Sequence, residues 1–219
     1  MIRSLIFDFD GLILDTETPL IDSYAEVHRA HRVAFDRTLF VRSVGHADYT
    51  FDPWHGFSPH ADRAGLEAER KQWKDELLLR QPILPGVVAL LDDARAHGLR
   101  IGLASNSDHG WVDAHLQRIG LFERFEFIAC REDAPAPKPA PDLYQLVLGR
   151  FGLRGPEAIA FEDSHTGSLA AQRAGLFAVA VPNPSTAHHD FAHADLRVAS
   201  LAEIDLAALM ARLANGEAR

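Results

Sequence analysis

Ile2-Arg3-Ser4-Leu5-Ile6-Phe7-Asp8-Phe9-Asp10-Gly11-Leu12-Ile13-Leu14 opens the chain, and its reading decides the fold. The apolar run Leu5-Ile6-Phe7 lacks polar alternation, as expected of a strand buried on both faces of a parallel sheet. Such sheets bind ligands beyond the carboxyl ends of their strands, and two aspartates stand at this end. Asp8 and Asp10 are two residues apart and would share a face of a regular strand. Gly11 lets the backbone turn sharply and approach a ligand closely. Two carboxylates this close repel unless a cation lies between them or one carries a proton. Magnesium, a hard ion that prefers oxygen ligands, is a natural partner. The stretch alone leaves open a surface strand end with two solvated acids.

Downstream the pattern turns helical. Asp15 or Thr16 can cap a helix reaching about residue 33, with Pro19 in its first turn and Leu20, Tyr24, Val27 and Ala30 at helical spacing. A short helix over 37–44 is expected next, then a loop over 45–57 rich in glycine, proline and aromatics. A charged amphipathic helix over 62–80 follows and stops before Pro82. Residues 15–84 therefore read as a small all-helical insertion, flanked by residues 1–14 and 85–219 of a core domain.

From Pro85-Gly86 onward, helices predicted at 86–97, 109–119, 142–151 and 166–174 alternate with strands at 99–104, 125–129, 158–161 and 177–181. A terminal helix at 201–214 reads as packing on the core. This alternation predicts an α/β fold, a doubly wound, Rossmann-like parallel sheet with helices on both faces. Polar clusters fall just after three of its strands: Asp8 and Asp10, Ser105-Asn106-Ser107, and Glu162-Asp163-Ser164.

Composition narrows the function classes. The 219 residues suffice for one large domain or a core with an insertion, and 47% apolar with 24% charged residues fits a soluble globular protein. Twenty-two basic against 31 acidic side chains give a net charge of −9, which argues against non-specific nucleic-acid binding. A small anionic substrate remains accessible, since a metal and a few local cations reverse the sign inside one pocket. Cys130 is the single cysteine, so no intramolecular disulfide is expected and a reducing compartment suits the chain. With no signal-peptide pattern and no apolar stretch of membrane-spanning length, the expectation is a soluble cytoplasmic protein.

Three further clusters carry chemistry. Hydroxyls and backbone N–H groups at the Ser105-Asn106-Ser107 turn can hold phosphate oxygens, or simply cap the next helix. Lys138 lies in Ala136-Pro137-Lys138-Pro139-Ala140-Pro141, where prolines stiffen the backbone and keep the lysine out of a helix. Its charge can sit between a carboxylate and a phosphate, or in solvent as an ordinary linker lysine. Glu162 and Asp163 end an apolar run as Asp10 does, and serve either a metal or a helix cap.

Taken in order, Asp-x-Asp-Gly at Asp8–Gly11, Ser105, Lys138-Pro139 and Glu162-Asp163-Ser164, with Gly167 and Ala174-Gly175 behind, resemble the haloacid dehalogenase superfamily of phosphohydrolases. The likeness spans residues 2–200, and the helical insertion resembles the cap of the β-phosphoglucomutase-like phosphatase branch. The resemblance implies that Asp8 is the nucleophile forming an aspartyl-phosphate and Asp10 the general acid, then base. Magnesium would be held by Asp8, the Asp10 backbone carbonyl and Asp163, with Glu162 helping directly or through water. Ser105 and the N–H of Asn106 would grip the phosphoryl oxygens, and Lys138 would neutralise phosphate and Asp8. Glu17, Arg42 and His46 are candidate substrate contacts. The partner implied is a small-molecule phosphate ester, with no nucleic acid or membrane; the oligomeric state is open, and a monomer is compatible.

Hydrolase and mutase can be set apart by comparison with the same family. β-Phosphoglucomutases carry a Lys-Gly-x-Ser-Arg-type stretch in the cap, where this chain reads Arg42-Ser43-Val44-Gly45-His46-Ala47-Asp48. They also tend to carry a lysine just past the serine turn, where Asp108-His109 stands here, and an acid there repels a second phosphate. Both departures favour a monophosphatase, with the mutase as the alternative. A non-catalytic phosphate-binding module predicts loss of Asp8, Asp10, Lys138 or Asp163, and all four are present. Tyr49, Phe51, Trp54 and Phe57 can line a substrate wall or form the core of the insertion. The linkers near Asp15–Thr16 and Gln81–Leu84 read as hinges.

Overall fold

Leu5, Ile6 and Phe7 have no exposed surface: β1 (Ser4–Phe7) is paired in parallel on both edges, and apolar side chains from helices cover both of its faces. The computed structural model describes residues 1–43 and 52–216, the side chains of Arg42 and Ser43 excepted. The chain divides into two compact units, one of residues 1–14 and 83–219, the other of residues 15–82.

After β1 come α1 (Glu17–Ala30), α2 (Arg37–Ser43) and α3 (Arg63–Leu79) of the helical unit. The chain then returns through α4 (Val87–Ala96), β2 (Arg100–Ala104), α5 (His109–Arg118), β3 (Phe127–Ala129) and α6 (Asp142–Phe151). It closes with β4 (Ala158–Glu162), α7 (His165–Arg173), β5 (Phe177–Ala180), β6 (Leu196–Arg197) and α8 (Leu206–Ala214). The six strands lie in the order β3-β2-β1-β4-β5-β6, every pair parallel. Chain progression reverses at β1 and β4, and a crevice for ligands opens at such a point.

Alternation along β1 builds the two layers. Leu5 and Phe7 face one core with Val87, Leu91, Val112, Leu116 and Leu206, so α4, α5 and α8 cover that side. Ile6 faces the other with Leu143, Val147, Phe151 and Ala170, under α6 and α7. Gly102 of β2 allows α6 to seat closely, since a Cβ there would come within 2.5 Å of Val147 Cγ1.

The predicted strand at 125–129 starts later, at Phe127, because residues 122–124 wind into a single helical turn. The terminal helix divides likewise into a short turn at 201–203 and α8, which Asp205 starts by accepting a bond from the Ala208 N–H at 2.9 Å. Two-residue β6 was not predicted, for it is too short to show a period. Ile83 and Leu84 group with the sheet unit: Ile83 bridges to Leu14, and the Leu84 N–H donates to Ile13 O.

Within the helical unit, Asp15 rather than Thr16 supplies the first cap, accepting from the Thr18 N–H at 2.9 Å. Val27, Trp54 and Leu66 form its centre, with the His28 ring stacked on Trp54 and edge-on to Phe57. Trp54 and Phe57 therefore serve as core. Tyr49 and Phe51 lie outside the described residues. No helix among the described residues is long and apolar enough to cross a membrane.

Candidate active site

At the carboxyl end of the sheet, β1 delivers Asp8, β2 delivers Ser105, and β4 delivers Glu162 and Asp163, all buried. Lys138 reaches them from the loop ahead of α6. Its ammonium donates three bonds: to Asp8 Oδ1 at 2.6 Å, to the Ala104 carbonyl at 2.7 Å and to Glu162 Oε1 at 2.5 Å. Every hydrogen of the ammonium is thus used, and one side chain links the ends of β1, β2 and β4. The Tyr144 hydroxyl adds a second donor to Glu162 Oε1 at 2.5 Å.

The charges of this cluster interact strongly. Burial pushes the Asp8 carboxyl well above the ordinary aspartate value; Lys138 works against this, and Glu162 and Asp10 add to it. Burial alone would lower Lys138, but Asp8 and Glu162 outweigh it and hold the ammonium above the ordinary lysine value. Burial also raises the Tyr144 phenol, with Glu162 and Asp8 adding to the effect. Tyr144 and Lys138 therefore keep their protons and act as donors.

One oxygen from each of Asp8, Glu162 and Asp163 lies within 4.8 Å of the others, a spacing that suits a metal ion. Three buried acids face one ammonium here, and their all-oxygen set suits a hard divalent cation such as magnesium. Glycines keep the space open. Gly11, at φ +75°, would with a Cβ come within 2.5 Å of Asp163 Oδ2, and Gly167 lies directly against Glu162.

The Asp10 carboxyl has different partners. The Ser107 hydroxyl donates to its Oδ2 at 2.6 Å, and the Trp111 indole N–H donates to its Oδ1 at 2.9 Å. Ser105 Oγ accepts from the Ser107 N–H at 3.0 Å. The Asn106 side chain turns to the lysine loop, accepting from the Lys138 N–H at 2.8 Å and donating to its carbonyl at 3.2 Å.

Residues 2–175 match the haloacid dehalogenase-like hydrolase family. The chain belongs to that family. It is 40% identical over 217 residues to YhcW of Bacillus subtilis, a protein itself only provisionally named a phosphatase, with 97% of this chain and 98% of the relative covered. It is 29% identical over 213 residues to hexitol phosphatase B of Escherichia coli K12, covering 93% and 94% of the two chains. Among solved structures, a CbbY variant from Rhodobacter sphaeroides in complex with xylulose-1,5-bisphosphate superposes with a TM-score of 0.73 at 26% identity, covering 95% of this chain and 99% of that one. Family and relatives together support a phosphomonoester hydrolase.

Of the residues expected from the sequence, the fold gathers Asp8, Ser105, Lys138, Glu162 and Asp163 at one sheet end, with Asp10 and Asn106 beside them. Glu17 opens α1 of the helical unit, half-buried. Arg42 lies in α2 with its side chain outside the described atoms, and His46 is outside the described residues. Three contributors were not foreseen, Tyr144, Trp111 and Asn183, and Ser107, expected among the phosphate-holding hydroxyls of its turn, bonds Asp10. The Asn183 amide donates to Asp163 Oδ2 at 2.8 Å and to the Gly11 carbonyl at 3.2 Å, fixing one candidate metal ligand against the turn after β1. Asp108 caps α5 by accepting from the Trp111 N–H at 2.8 Å.

Proposed function

We propose that this member of the family is a magnesium-dependent phosphatase, hydrolysing the phosphate monoester of a small metabolite or sugar through an aspartyl-phosphate on Asp8. The observation that carries the reading is the separation of two aspartates by their partners. Asp8 is buried among Lys138 and two acids, as a nucleophile beside a metal would be. Asp10 is tied to two neutral donors, as a proton-transfer group would be.

In the first step an Asp8 oxygen attacks phosphorus, while Asp10 gives its proton to the departing alcohol oxygen. In the second, Asp10 takes a proton from water, whose oxygen attacks the aspartyl-phosphate and releases inorganic phosphate and free Asp8. Ser105 Oγ and the Asn106 N–H hold phosphoryl oxygens through both steps, and Lys138 offsets the charge of Asp8 and phosphate. The Asn106 amide, in its bonds to the Lys138 backbone, keeps the two parts in register. Asp8, the Asp10 carbonyl and Asp163 would hold magnesium, with Glu162 directly or through water. When bound, the ion offsets the repulsion between Asp8 and a phosphate dianion. Lys138 works in the same direction, favouring the ionised nucleophile against burial.

The helical unit, residues 15–82, is assigned the role of a cap that selects the substrate and excludes water. A sugar phosphate is favoured by the hexitol phosphatase relative and by the bisphosphate bound to the CbbY neighbour. Hydrolysis is favoured over phosphate migration because Asp108 stands after the serine turn and is engaged as a helix cap. The test is phosphate release from a panel of sugar and other phosphomonoesters, with magnesium and with chelator, each reaction also assayed for isomerised sugar phosphate. Magnesium-dependent free phosphate is expected. Isomerisation with little release would make the enzyme a mutase.

A further inference from the structure

Asp10 accepts one hydrogen bond on each oxygen, from Trp111 and from Ser107, and the two donors are themselves held in place. Trp111 sits in the first turn of α5, its backbone N–H bonded to the Asp108 cap at 2.8 Å and its ring edge-on to His115 with centroids 4.3 Å apart. Ser107 donates its N–H to Ser105 Oγ at 3.0 Å and accepts on its carbonyl from the Arg131 N–H at 3.0 Å. A carboxyl with one partner still turns about its last torsion, which is broad. Two donors from separate anchored points fix its plane.

We propose that Trp111 and Ser107 are positioning residues that fix the plane of the Asp10 carboxyl for proton transfer to the leaving oxygen. The proposal rests on the reading of Asp10 as acid and base given above. Proton transfer depends on geometry first, since donor and acceptor must meet at hydrogen-bond distance in the transition state. The turn from Ser105 to Trp111 therefore does two jobs: one end holds the phosphoryl group, and the other aims the group that serves the departing alcohol. Neither Trp111 nor Ser107 touches the reacting atoms in this scheme.

The test exploits the leaving group. An alkyl phosphate needs a proton on its departing oxygen, whereas p-nitrophenyl phosphate releases a stable phenolate and needs little help. kcat/KM reports steps through the first irreversible one, here phosphorylation of Asp8. Trp111→Phe keeps an aromatic ring at this position but removes the N–H. Ser107→Ala removes the hydroxyl, and Ser107→Thr restores one. With magnesium present, Trp111→Phe and Ser107→Ala are each expected to lower kcat/KM for a sugar phosphate by about tenfold or more, and for p-nitrophenyl phosphate by less than about twofold, a part of the hundredfold or greater effect typical of a general acid. Ser107→Thr is expected to recover most of the loss.

Asp10→Asn, measured alongside, separates two failures. If Asp10→Asn shows the steep split between leaving groups and neither positioning variant does, the positioning role is wrong and the acid assignment stands. If Asp10→Asn leaves the sugar-phosphate rate unchanged, the acid assignment falls and the positioning role with it. Equal losses on both ester classes in Trp111→Phe and Ser107→Ala, or a faster sugar-phosphate reaction, would also overturn the proposal.

Discussion

The carboxyl end of the sheet and the helical unit spend their charged residues in opposite ways. At the sheet end, Lys138 pairs with Asp8 and Glu162 where the ammonium side chain is 3% exposed and Glu162 is 1% exposed. In the helical unit the ion pairs Arg63–Asp52, Lys71–Asp75 and Arg37–Asp22 all lie in solvent, and the centre is aromatic. A buried pair holds its partners because neither charge can return to water cheaply, and a surface pair is replaced by water at little cost. The proposed chemistry thus resides where charge is costly to bury, and the centre of the helical unit is built by ring packing. The sheet unit also pairs charges at its surface, as His109 shows below, so burial rather than unit membership is what sets the strength of a pair.

Lys138→Met should break this contrast most visibly. It strands Asp8 and Glu162 without their cation and is expected to cost about 3–5 kcal/mol of stability along with phosphatase activity. Lys71→Ala, on the exposed pair with Asp75, is expected to cost no more than a few tenths of a kcal/mol. Urea unfolding of both variants checks the difference, and equal costs would remove the distinction drawn between the two regions.

A smaller, pH-dependent effect sharpens it. His109 bonds Asp113 through Nδ1 at 3.1 Å and Asp133 through Nε2 at 2.8 Å. Burial alone would lower its pKa, but the bonds to Asp133 and Asp113 outweigh this and raise it above the ordinary 6.5. Only the imidazolium can donate through both nitrogens. A raised folded pKa means that the stabilisation is fully present below the unfolded value and is lost as pH rises through the folded one. The difference in urea midpoint between wild type and His109→Gln should therefore be larger at about pH 5.5 than at about pH 8.5. A constant difference, or the reverse trend, would show that His109 acts by packing alone.

Which parts of the molecule could be read from the sequence follows from the range of the interactions involved. The strand Leu5–Phe7 and the turns behind the later strands carry local signals, an unbroken apolar run followed by a polar cluster. Asp8, Ser105, Lys138 and Asp163 were legible because their types and order repeat a family pattern. Trp111 and Asn183 were not. They reach Asp10 and Asp163 from 101 and 20 residues away, and a half-buried tryptophan at a helix start reads locally as core. Tyr144 likewise looks like an apolar position of α6, and only folding turns its hydroxyl to Glu162. Trp54 and Phe57 show the opposite difficulty: aromatics in a loop suit a binding wall as well as a core, and their packing around His28 decides for the core.

The central claim is that the buried carboxylate of Asp8, and not that of Asp10, becomes covalently phosphorylated. The most direct measurement is mass spectrometry of acid-quenched enzyme after brief reaction with p-nitrophenyl phosphate and magnesium, for the wild type, Asp8→Asn and Asp10→Asn. The expected result is a phosphorylated peptide containing Asp8 in the wild type and in Asp10→Asn, and none in Asp8→Asn, which should also lose turnover while keeping its fold. Full magnesium-dependent turnover by Asp8→Asn, or a phosphoryl group on Asp10, would contradict the account.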